Sequence, residues 1–172
     1  ASALAADLLA RKDARDLLIV GTGQLSLAVA AAHCAVRGYT SVSIWGRSGE
    51  KAAAIASTLG DQGLPARAVD DLETACRAAD VVSTVTASTR PIIQGDWLKP
   101  GSHLDLIGAF KGDMRESDDQ AIQQAEVFVD LRAGASLAGD LSQPLQAGQI
   151  TPEHIRADLA ELCQGAHPGR SD

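Results

Sequence analysis

LLIVGTGQLS, residues 17–26, predicts a short apolar β-strand that ends in a glycine turn and continues as a helix. Gly21 permits a tight turn out of the strand, and Gly23 lets the backbone approach a pyrophosphate because no Cβ stands in the way. Ser26 stands where the G-x-G-x-x-G pattern has its third glycine, and its small side chain still lets helix and strand pack closely. We therefore predict the first strand–turn–helix unit of a dinucleotide-binding fold.

The start of the predicted helix is suited to an anion. Backbone amides there have no partner within the helix, and the helix dipole favours negative charge at this end. The predicted contacts of the dinucleotide phosphates are Gly21, Thr22, Gly23, Gln24 and Leu25. The alternative is a glycine turn that binds nothing.

Short apolar runs recur along the chain and alternate with helical stretches. The predicted strands are residues 17–20, 42–45, 66–69, 81–85, 104–107 and 127–130. Several of these strands are apolar at consecutive positions, as expected when helices cover both faces of a sheet. The pattern predicts an α/β protein with a doubly wound parallel sheet, a Rossmann fold of three α/β/α layers.

Other segments are less regular. Pro91 and Pro100 predict a loop-rich stretch before the fifth strand. Glycines break the part of the chain after Asp130 into short helices, whereas residues 2–10 favour one helix by propensity.

The composition of the chain argues against nucleic acid and membranes as partners. The 172 residues are an ordinary size for one domain, with a net charge of -7 and 3% aromatic residues. We expect no nucleic-acid partner, because this charge repels a phosphate backbone and few rings can stack on bases. No apolar run is long enough to span a bilayer, and the alanine-rich start lacks the basic region of a signal peptide, so we expect a cytoplasmic protein without a membrane partner.

The three cysteines, Cys34, Cys76 and Cys163, are far apart and never form a CxxC pair. We predict neither disulfides nor a metal site, and expect all three to be small buried hydrophobes.

The end of the second strand bears on cofactor choice. NAD-binding units place an acidic residue there for the ribose 2′-hydroxyl, whereas NADP-binding units place an arginine for the 2′-phosphate. Arg47 and Ser48 follow this strand, and both can donate hydrogen bonds to a phosphate. NADP is therefore favoured, and the alternative is NAD with Glu50 on the ribose.

The ends of the fourth and fifth strands carry small and hydroxyl residues. In a doubly wound sheet these ends line the ligand crevice beside the point where strand order reverses. We predict that the cofactor's nicotinamide half contacts Thr84, Val85, Thr86, Ile107, Gly108 and Ala109. The alternative for the hydroxyl residues, Ser88 and Thr89 above all, is that they merely suit strand ends.

No catalytic set is evident. The four histidines, His33, His103, His154 and His167, have no obvious acid or nucleophile beside them in sequence and are expected to be structural or solvated. Asp105 lies inside an apolar strand, where a structural carboxylate and a catalytic one are equally compatible with the sequence. The carboxylates Asp113, Glu116, Asp118 and Asp119 are predicted to form a solvated helix start.

Five segments together resemble the ornithine cyclodeaminase/mu-crystallin family: VGTG at 20–23, RAADVVST at 77–84, WLKPG at 97–101, DMRE at 113–116 and DLAEL at 158–162. The resemblance covers essentially the whole chain. It implies that residues 1–172 are the dinucleotide-binding domain of a protein about twice this length. It also implies that the substrate-binding and dimerising domain is absent from this chain, and that the full-length protein is a homodimer.

The resemblance further implies the reaction class. Cyclodeaminases of the family carry a catalytic aspartate where this sequence has Phe110. The chain is therefore more similar to the NADPH-dependent imine reductases of the family, which act on Δ1-pyrroline-2-carboxylate or Δ1-piperideine-2-carboxylate. Three alternatives stay open: an ornithine cyclodeaminase, an alanine dehydrogenase-like enzyme that uses NAD, and a non-catalytic small-ligand binder like mu-crystallin.

Overall fold

In a computed structural model, residues 1–170 of the protein are described, and they divide into two compact units. The first unit comprises residues 2–86 and 97–107, and the second comprises residues 1, 87–96 and 108–170. Among these residues, none of the helices has the length and apolar character that crossing a bilayer demands.

The helices and strands follow one another along the chain as α1 (Ser2–Leu9), β1 (Asp16–Val20), α2 (Gln24–Val36), β2 (Ser41–Trp45), α3 (Gly49–Asp61), β3 (Ala66–Ala68), α4 (Leu72–Ala78), β4 (Val81–Thr84), β5 (Thr89–Ile93), β6 (His103–Leu106), β7 (Arg115–Ser117), α5 (Asp119–Gln123), β8 (Val127–Val129), α6 (Arg132–Ala135), α7 (Gly139–Gln146), β9 (Ile155–Asp158) and α8 (Leu159–Cys163).

The first unit is built on a five-stranded parallel sheet with the strand order β3-β2-β1-β4-β6. In β1, Leu17 lies opposite Val42 of β2 and Val81 of β4. The chain runs outward from β1 to β3 and then returns to β4, so right-handed crossovers place α2 and α3 on one face and α4 on the other. The predicted doubly wound α/β fold is confirmed, and its strand order reverses between β1 and β4.

The core of the first unit packs against the middle of this sheet. Apolar residues of β1, β2 and α3 pack together and are at most 6% exposed: Leu17, Ile19, Val42, Ile44, Ala52, Ala56 and Leu59. Each large aliphatic side chain buried in this way contributes roughly 1.5–3 kcal/mol. The loops that follow β1 and β2 therefore project from a fixed platform.

Asp80 joins three segments at the amino edge of this sheet. Its Oδ2 accepts hydrogen bonds from the backbone N–H of Arg15 at 2.7 Å and of Asp16 at 3.1 Å. Its Oδ1 lies 2.8 Å from a guanidinium nitrogen of Arg11 and 2.7 Å from Nζ of Lys99. These contacts fix the starts of β1 and β4 relative to each other.

The surroundings of Asp80 favour its charged form. Burial by itself would raise the pKa of this carboxyl, but the hydrogen bonds from the Arg15 and Asp16 amides and the Lys99 ammonium outweigh it. The pKa of Asp80 therefore lies well below its ordinary value. A carboxylate held in this way stabilises the fold only while it is ionised.

The second unit contains two pairs of parallel strands, β5 with β7 and β8 with β9. The expectation that residues 127–130 belong to the main sheet is wrong, because β8 pairs with β9 instead, Phe128 lying opposite Ala157. An apolar run reveals a strand but not its partner. The predicted loop around Pro91 is also wrong, since residues 89–93 form β5; the register is irregular between Thr89 and Ile93, where a residue without an N–H is tolerated.

The cysteines meet the expectation only in part. Cys76 is buried as predicted, Cys34 is half-buried, and Cys163 is exposed, so the prediction is wrong for Cys163. Cys163 is the last residue of α8, whose buried position is taken by its neighbour Leu162.

Candidate functional site

The turn after β1 requires glycine at its first position. Gly21 has φ +127°, a conformation that residues with side chains rarely adopt, and its N–H donates to the carbonyl of Trp45 at 2.8 Å. A Cβ on Gly21 would lie 2.7 Å from the carbonyl oxygen of Val85 and 3.3 Å from the methyl of Thr86. The turn is thus packed directly against the segment that follows β4.

The second glycine of the turn has a different character. Gly23 is exposed and is the N-cap of α2 with φ −80°, a conformation open to other residues, and a Cβ there would meet no atom within 4 Å. The fold itself therefore does not require glycine at position 23. A ligand that approaches the backbone closely would require it.

The first turn of α2 lacks the features that usually satisfy a helix start. Gly23 provides no side-chain cap and no acidic residue lies in the first turn, whereas Ser48 and Asp71 cap α3 and α4. Gln24 and Leu25 are exposed, and the Leu25 side chain is 60% exposed. This geometry fits a bound phosphate, because uncapped amides and the positive end of the dipole face an open surface.

Two smaller residues complete the turn. Ser26 is fully buried and its Oγ has no hydrogen-bond partner within residues 1–170, so it acts as the small residue that lets α2 approach β1. Thr22 packs on the end of β2, since a Cβ on Gly46 would lie 2.4 Å from Cγ2 of Thr22. The glycine turn and the tip of β2 are therefore in direct contact.

The tip of β2 presents an arginine without a protein partner. Arg47 is exposed, as is Glu50, and neither side chain has a hydrogen bond or ion pair in the described part of the chain. Ser48 accepts a hydrogen bond from the Lys51 amide at 3.3 Å as the N-cap of α3, which leaves its hydroxyl proton available to donate. This tip can receive an anionic group.

The predicted residues after β4 and β6 lie near the turn to different degrees. Val85 and Thr86 are half-buried and line Gly21, and Ile107 donates its N–H to the carbonyl of Thr84 at 3.0 Å. The Thr84 side chain is fully buried and donates to the carbonyl of Asp105 at 3.4 Å. The Thr84 side chain is thus used within the sheet, whereas Val85, Thr86, Ile107 and Gly108 keep partly exposed surface.

Gly108 and Ala109 begin the part of the second unit that follows β6. The N–H of Gly108 donates to Oε2 of Glu116 at 2.6 Å, and the carbonyl of Ala109 accepts from the N–H of Gly139 at 3.2 Å. Ala109 is buried, whereas the next residue, Phe110, is 66% exposed.

Glu116 corrects the expectation of a solvated acidic cluster. Asp113 is exposed and Asp118 caps α5, as expected of a helix start, but Glu116 is fully buried on β7. A second buried carboxylate, Asp140, also escaped prediction. Sequence periodicity could not identify either residue, because a buried glutamate on a three-residue strand has the same sequence pattern as a surface one.

Asp105, the ambiguous carboxylate, accepts hydrogen bonds from Ser2 Oγ at 2.5 Å and from Ser83 Oγ at 2.6 Å. His33 Nε2 lies 2.8 Å from Ser2 Oγ, but its Nδ1 is buried without a partner in residues 1–170. A catalytic triad needs the carboxylate on Nδ1, so this cluster has the wrong geometry for a relay. His33 is fully buried, which supports the structural interpretation of both residues.

The electrostatics of Asp105 agree with this interpretation. Burial opposes ionisation, yet the hydrogen bonds from His33, Ser2 and Ser83 and the charge of His103 lower the pKa of Asp105 below its ordinary value. Within residues 1–170, no group of three or more histidine, cysteine, aspartate or glutamate side chains could hold a metal ion.

Comparison with known proteins extends these observations. A family model described as "Ornithine cyclodeaminase/mu-crystallin family" matches residues 1–172. A Delta(1)-pyrroline-2-carboxylate reductase of Paracoccus denitrificans is 42% identical over 174 residues, which are 99% of this chain and 55% of the relative. The ketimine reductase mu-crystallin of Mus musculus is 34% identical over 173 residues, 99% of this chain and 52% of the relative.

Two solved structures share the fold over 99% of this chain. Delta(1)-pyrroline-2-carboxylate reductase of Thermococcus litoralis, in complex with NADH and L-proline, matches with a TM-score of 0.95 at 28% identity, over 54% of that chain. An archaeal alanine dehydrogenase dimer with bound NAD matches with a TM-score of 0.94 at 27% identity, over 53% of that chain. The chain spans about half the length of the relatives and structures it matches.

Proposed function

Because the chain belongs to the ornithine cyclodeaminase/mu-crystallin family, we propose that it is the nicotinamide-dinucleotide-binding domain of an enzyme that reduces cyclic imino acids with NADPH. The domain assignment covers residues 1–172, and the substrate-binding and dimerising domain belongs to other parts of the full-length protein. The bound dinucleotide supplies a hydride for the imine carbon of the substrate.

The observation that carries the proposal is the uncapped start of α2. Gly21 shapes the turn, Gly23 leaves open space, and the amides of Gln24 and Leu25 face it. In this chain these groups bind the pyrophosphate and fix the cofactor's position, while Val85, Thr86 and Ile107 border its nicotinamide half. The same role is proposed for Gly108 and Ala109.

Arg47 is proposed to select NADP. Replacing it (Arg47→Ala) is expected to weaken NADPH binding about ten- to a hundredfold and NADH binding less than twofold, because a charge-assisted contact with the 2′-phosphate is worth about 1.5–3 kcal/mol. Isothermal titration calorimetry of both cofactors measures this directly. Arg67→Ala removes the same charge from an exposed position on β3 and serves as the control.

Equal losses for NADPH and NADH would contradict the proposed role of Arg47. If Glu50 instead binds the ribose, Glu50→Gln should weaken NADH and leave NADPH unchanged. The known structures with NADH or NAD keep this NAD alternative open.

The reaction is tested on the full-length protein that contains this domain. We expect NADPH oxidation, followed by absorbance at 340 nm, that depends on added Δ1-pyrroline-2-carboxylate or Δ1-piperideine-2-carboxylate. Oxidation of NADH with pyruvate and ammonia would instead favour an alanine dehydrogenase, and release of ammonia from ornithine would favour a cyclodeaminase. Cofactor binding without turnover of any of these substrates would favour a non-catalytic binder.

A dimer is part of the proposal for the full-length protein. The archaeal alanine dehydrogenase matched above is described as a dimer. Two identical subunits are therefore expected by light scattering of the full-length protein.

A further inference from the structure

The segment between β6 and β7 is held by an unusual buried carboxylate. We call residues 108–114 the post-β6 loop. Glu116, the middle residue of β7, is fully buried and accepts the N–H of Gly108, the first residue of the loop, at 2.6 Å. The buried carboxyl group of Glu116 thus accepts a backbone N–H that water could have satisfied.

A second carboxylate fixes the strand that carries Glu116. Asp140, in the first turn of α7, is 2% exposed and accepts the N–H of Glu116 at 3.1 and 3.2 Å. Its Oδ1 also accepts the N–H and the hydroxyl of Ser117, both at 2.9 Å. Burial nevertheless raises the pKa of Asp140 above its ordinary value, so this contact carries a solvation cost.

Helix α7 also contacts the post-β6 loop directly. The N–H of Gly139 lies 3.2 Å from the carbonyl of Ala109 and 3.1 Å from that of Lys111. A Cβ on Gly139 would lie 1.8 Å from the carbonyl oxygen of Met114, and Gln143 Nε2 donates to the carbonyl of Gly112 at 2.8 Å. The backbone of the loop is therefore held along most of its length.

Two buried carboxylates are a poor way to gain stability, because desolvation offsets much of what their hydrogen bonds contribute. They are an effective way to hold a backbone at one position, since charge-assisted hydrogen bonds are short and directional. Gly108 and Ala109, at the held end of the loop, are the residues proposed above to border the nicotinamide. Glu116 and Asp140 therefore serve to hold the start of the post-β6 loop in place more than to stabilise the fold.

We propose that Glu116 is a positioning residue: through the Gly108 amide it holds the backbone on which the nicotinamide end of the cofactor rests, and Asp140 holds Glu116. This inference rests on the proposed dinucleotide binding. It concerns the nicotinamide end alone, and the phosphate cradle at Gly23 does not depend on it.

The test compares each cofactor with its own fragment that lacks nicotinamide. NADH is paired with ADP-ribose, and NADPH with the 2′-phosphate of ADP-ribose, each titrated calorimetrically into the protein. Glu116→Gln keeps the shape but weakens the acceptor, so we expect whichever dinucleotide binds to lose about tenfold in affinity while its fragment changes less than twofold. A purely structural role would weaken the dinucleotide and the fragment equally.

Two further variants sharpen the comparison. Glu161→Gln makes the same chemical change in the second unit, where Glu161 contacts Arg132 and caps α8, and it should change neither affinity. Gln143→Ala removes the hydrogen bond to the Gly112 carbonyl, and with it the one that Gln143 accepts from Arg115 of β7, from a half-buried position, and it should weaken the dinucleotide selectively by about threefold. If Glu116→Gln lacks a cooperative unfolding transition, Gln143→Ala decides by the same criterion.

The outcomes separate the two proposals. A wild-type protein that binds neither the dinucleotides nor the fragments refutes the proposed function. Suppose instead that the wild-type protein binds these ligands. The positioning role is then refuted, and the proposed function stands, if Glu116→Gln weakens the dinucleotide and its fragment equally or weakens neither. The same conclusion follows if the wild-type protein binds the dinucleotide no more tightly than the fragment.

Discussion

Gly23→Asp is expected to abolish useful dinucleotide binding while leaving the protein as stable as before or slightly more so. Aspartate is a preferred N-cap residue, and the backbone of Gly23 already has the extended conformation of that position, so α2 should gain up to about 1 kcal/mol. The new carboxylate would stand where the pyrophosphate is proposed to bind. Repulsion of about 4 kcal/mol between charges about 4 Å apart near the surface corresponds to about a thousandfold loss of affinity.

Gly23→Asn is the matched control for this prediction. Asparagine has nearly the same shape and caps a helix equally well, but it carries no charge. Affinity should therefore fall by an intermediate factor of about ten- to a hundredfold, from steric blocking alone. Calorimetric titration together with thermal unfolding measures both properties, and an aspartate variant that binds as the wild type does would exclude the phosphate cradle.

Asp80→Asn is expected to be the most destabilising of the proposed changes. Two backbone amides and two cations meet at this carboxylate, and a neutral amide cannot satisfy all of them. Breaking one partner of such a buried cluster costs about 3 kcal/mol. Urea unfolding at neutral pH should show a lower midpoint with an unchanged slope.

The contribution of Asp80 should also depend on pH in a defined direction. Its pKa is lowered in the folded protein, so its stabilisation is complete above the unfolded-state pKa of about 3.9 and is lost as the pH falls below that value. The difference between wild type and Asp80→Asn should therefore shrink below about pH 4. Asp61→Asn, an exposed position in α3, should change the free energy of unfolding by less than about 0.5 kcal/mol. A similarly small effect of Asp80→Asn would contradict the structural role of this residue.

The fold of the first unit could be predicted because its signals are local. The central strands β1, β2 and β4 are mostly buried, and the glycine turn at Gly21 is required by a single backbone angle. The exposed Arg47 likewise follows from its place in the sequence, directly after β2. Features determined within ten consecutive residues are visible without a structure.

The second unit was predicted less well because its features depend on distant partners. Glu116 and Asp140 are separated by 24 positions, and a buried carboxylate cannot be distinguished from a surface one until both partners are placed. The pairing of β8 with β9 has the same origin, since Val127 and Ile155 come from distant segments. The hydrogen bond from the Thr84 hydroxyl to the carbonyl of Asp105 on the neighbouring strand could not be predicted for a related reason, because it depends on how the strands pair.

The contact between Thr22 and Gly46 restricts how the coenzyme preference of this protein can be redesigned. Position 47 is free to vary, because the Arg47 side chain is exposed at the end of a strand, whereas position 48 must keep a residue that can cap α3. Position 46 is not free to vary, since an added Cβ there would collide with the side chain of Thr22, and the threonine or the turn that carries it would have to shift. An engineer who exchanges the arginine for an acid should therefore keep the preceding glycine, or first replace Thr22 by alanine and so give up a packing contact of the proposed phosphate-binding turn.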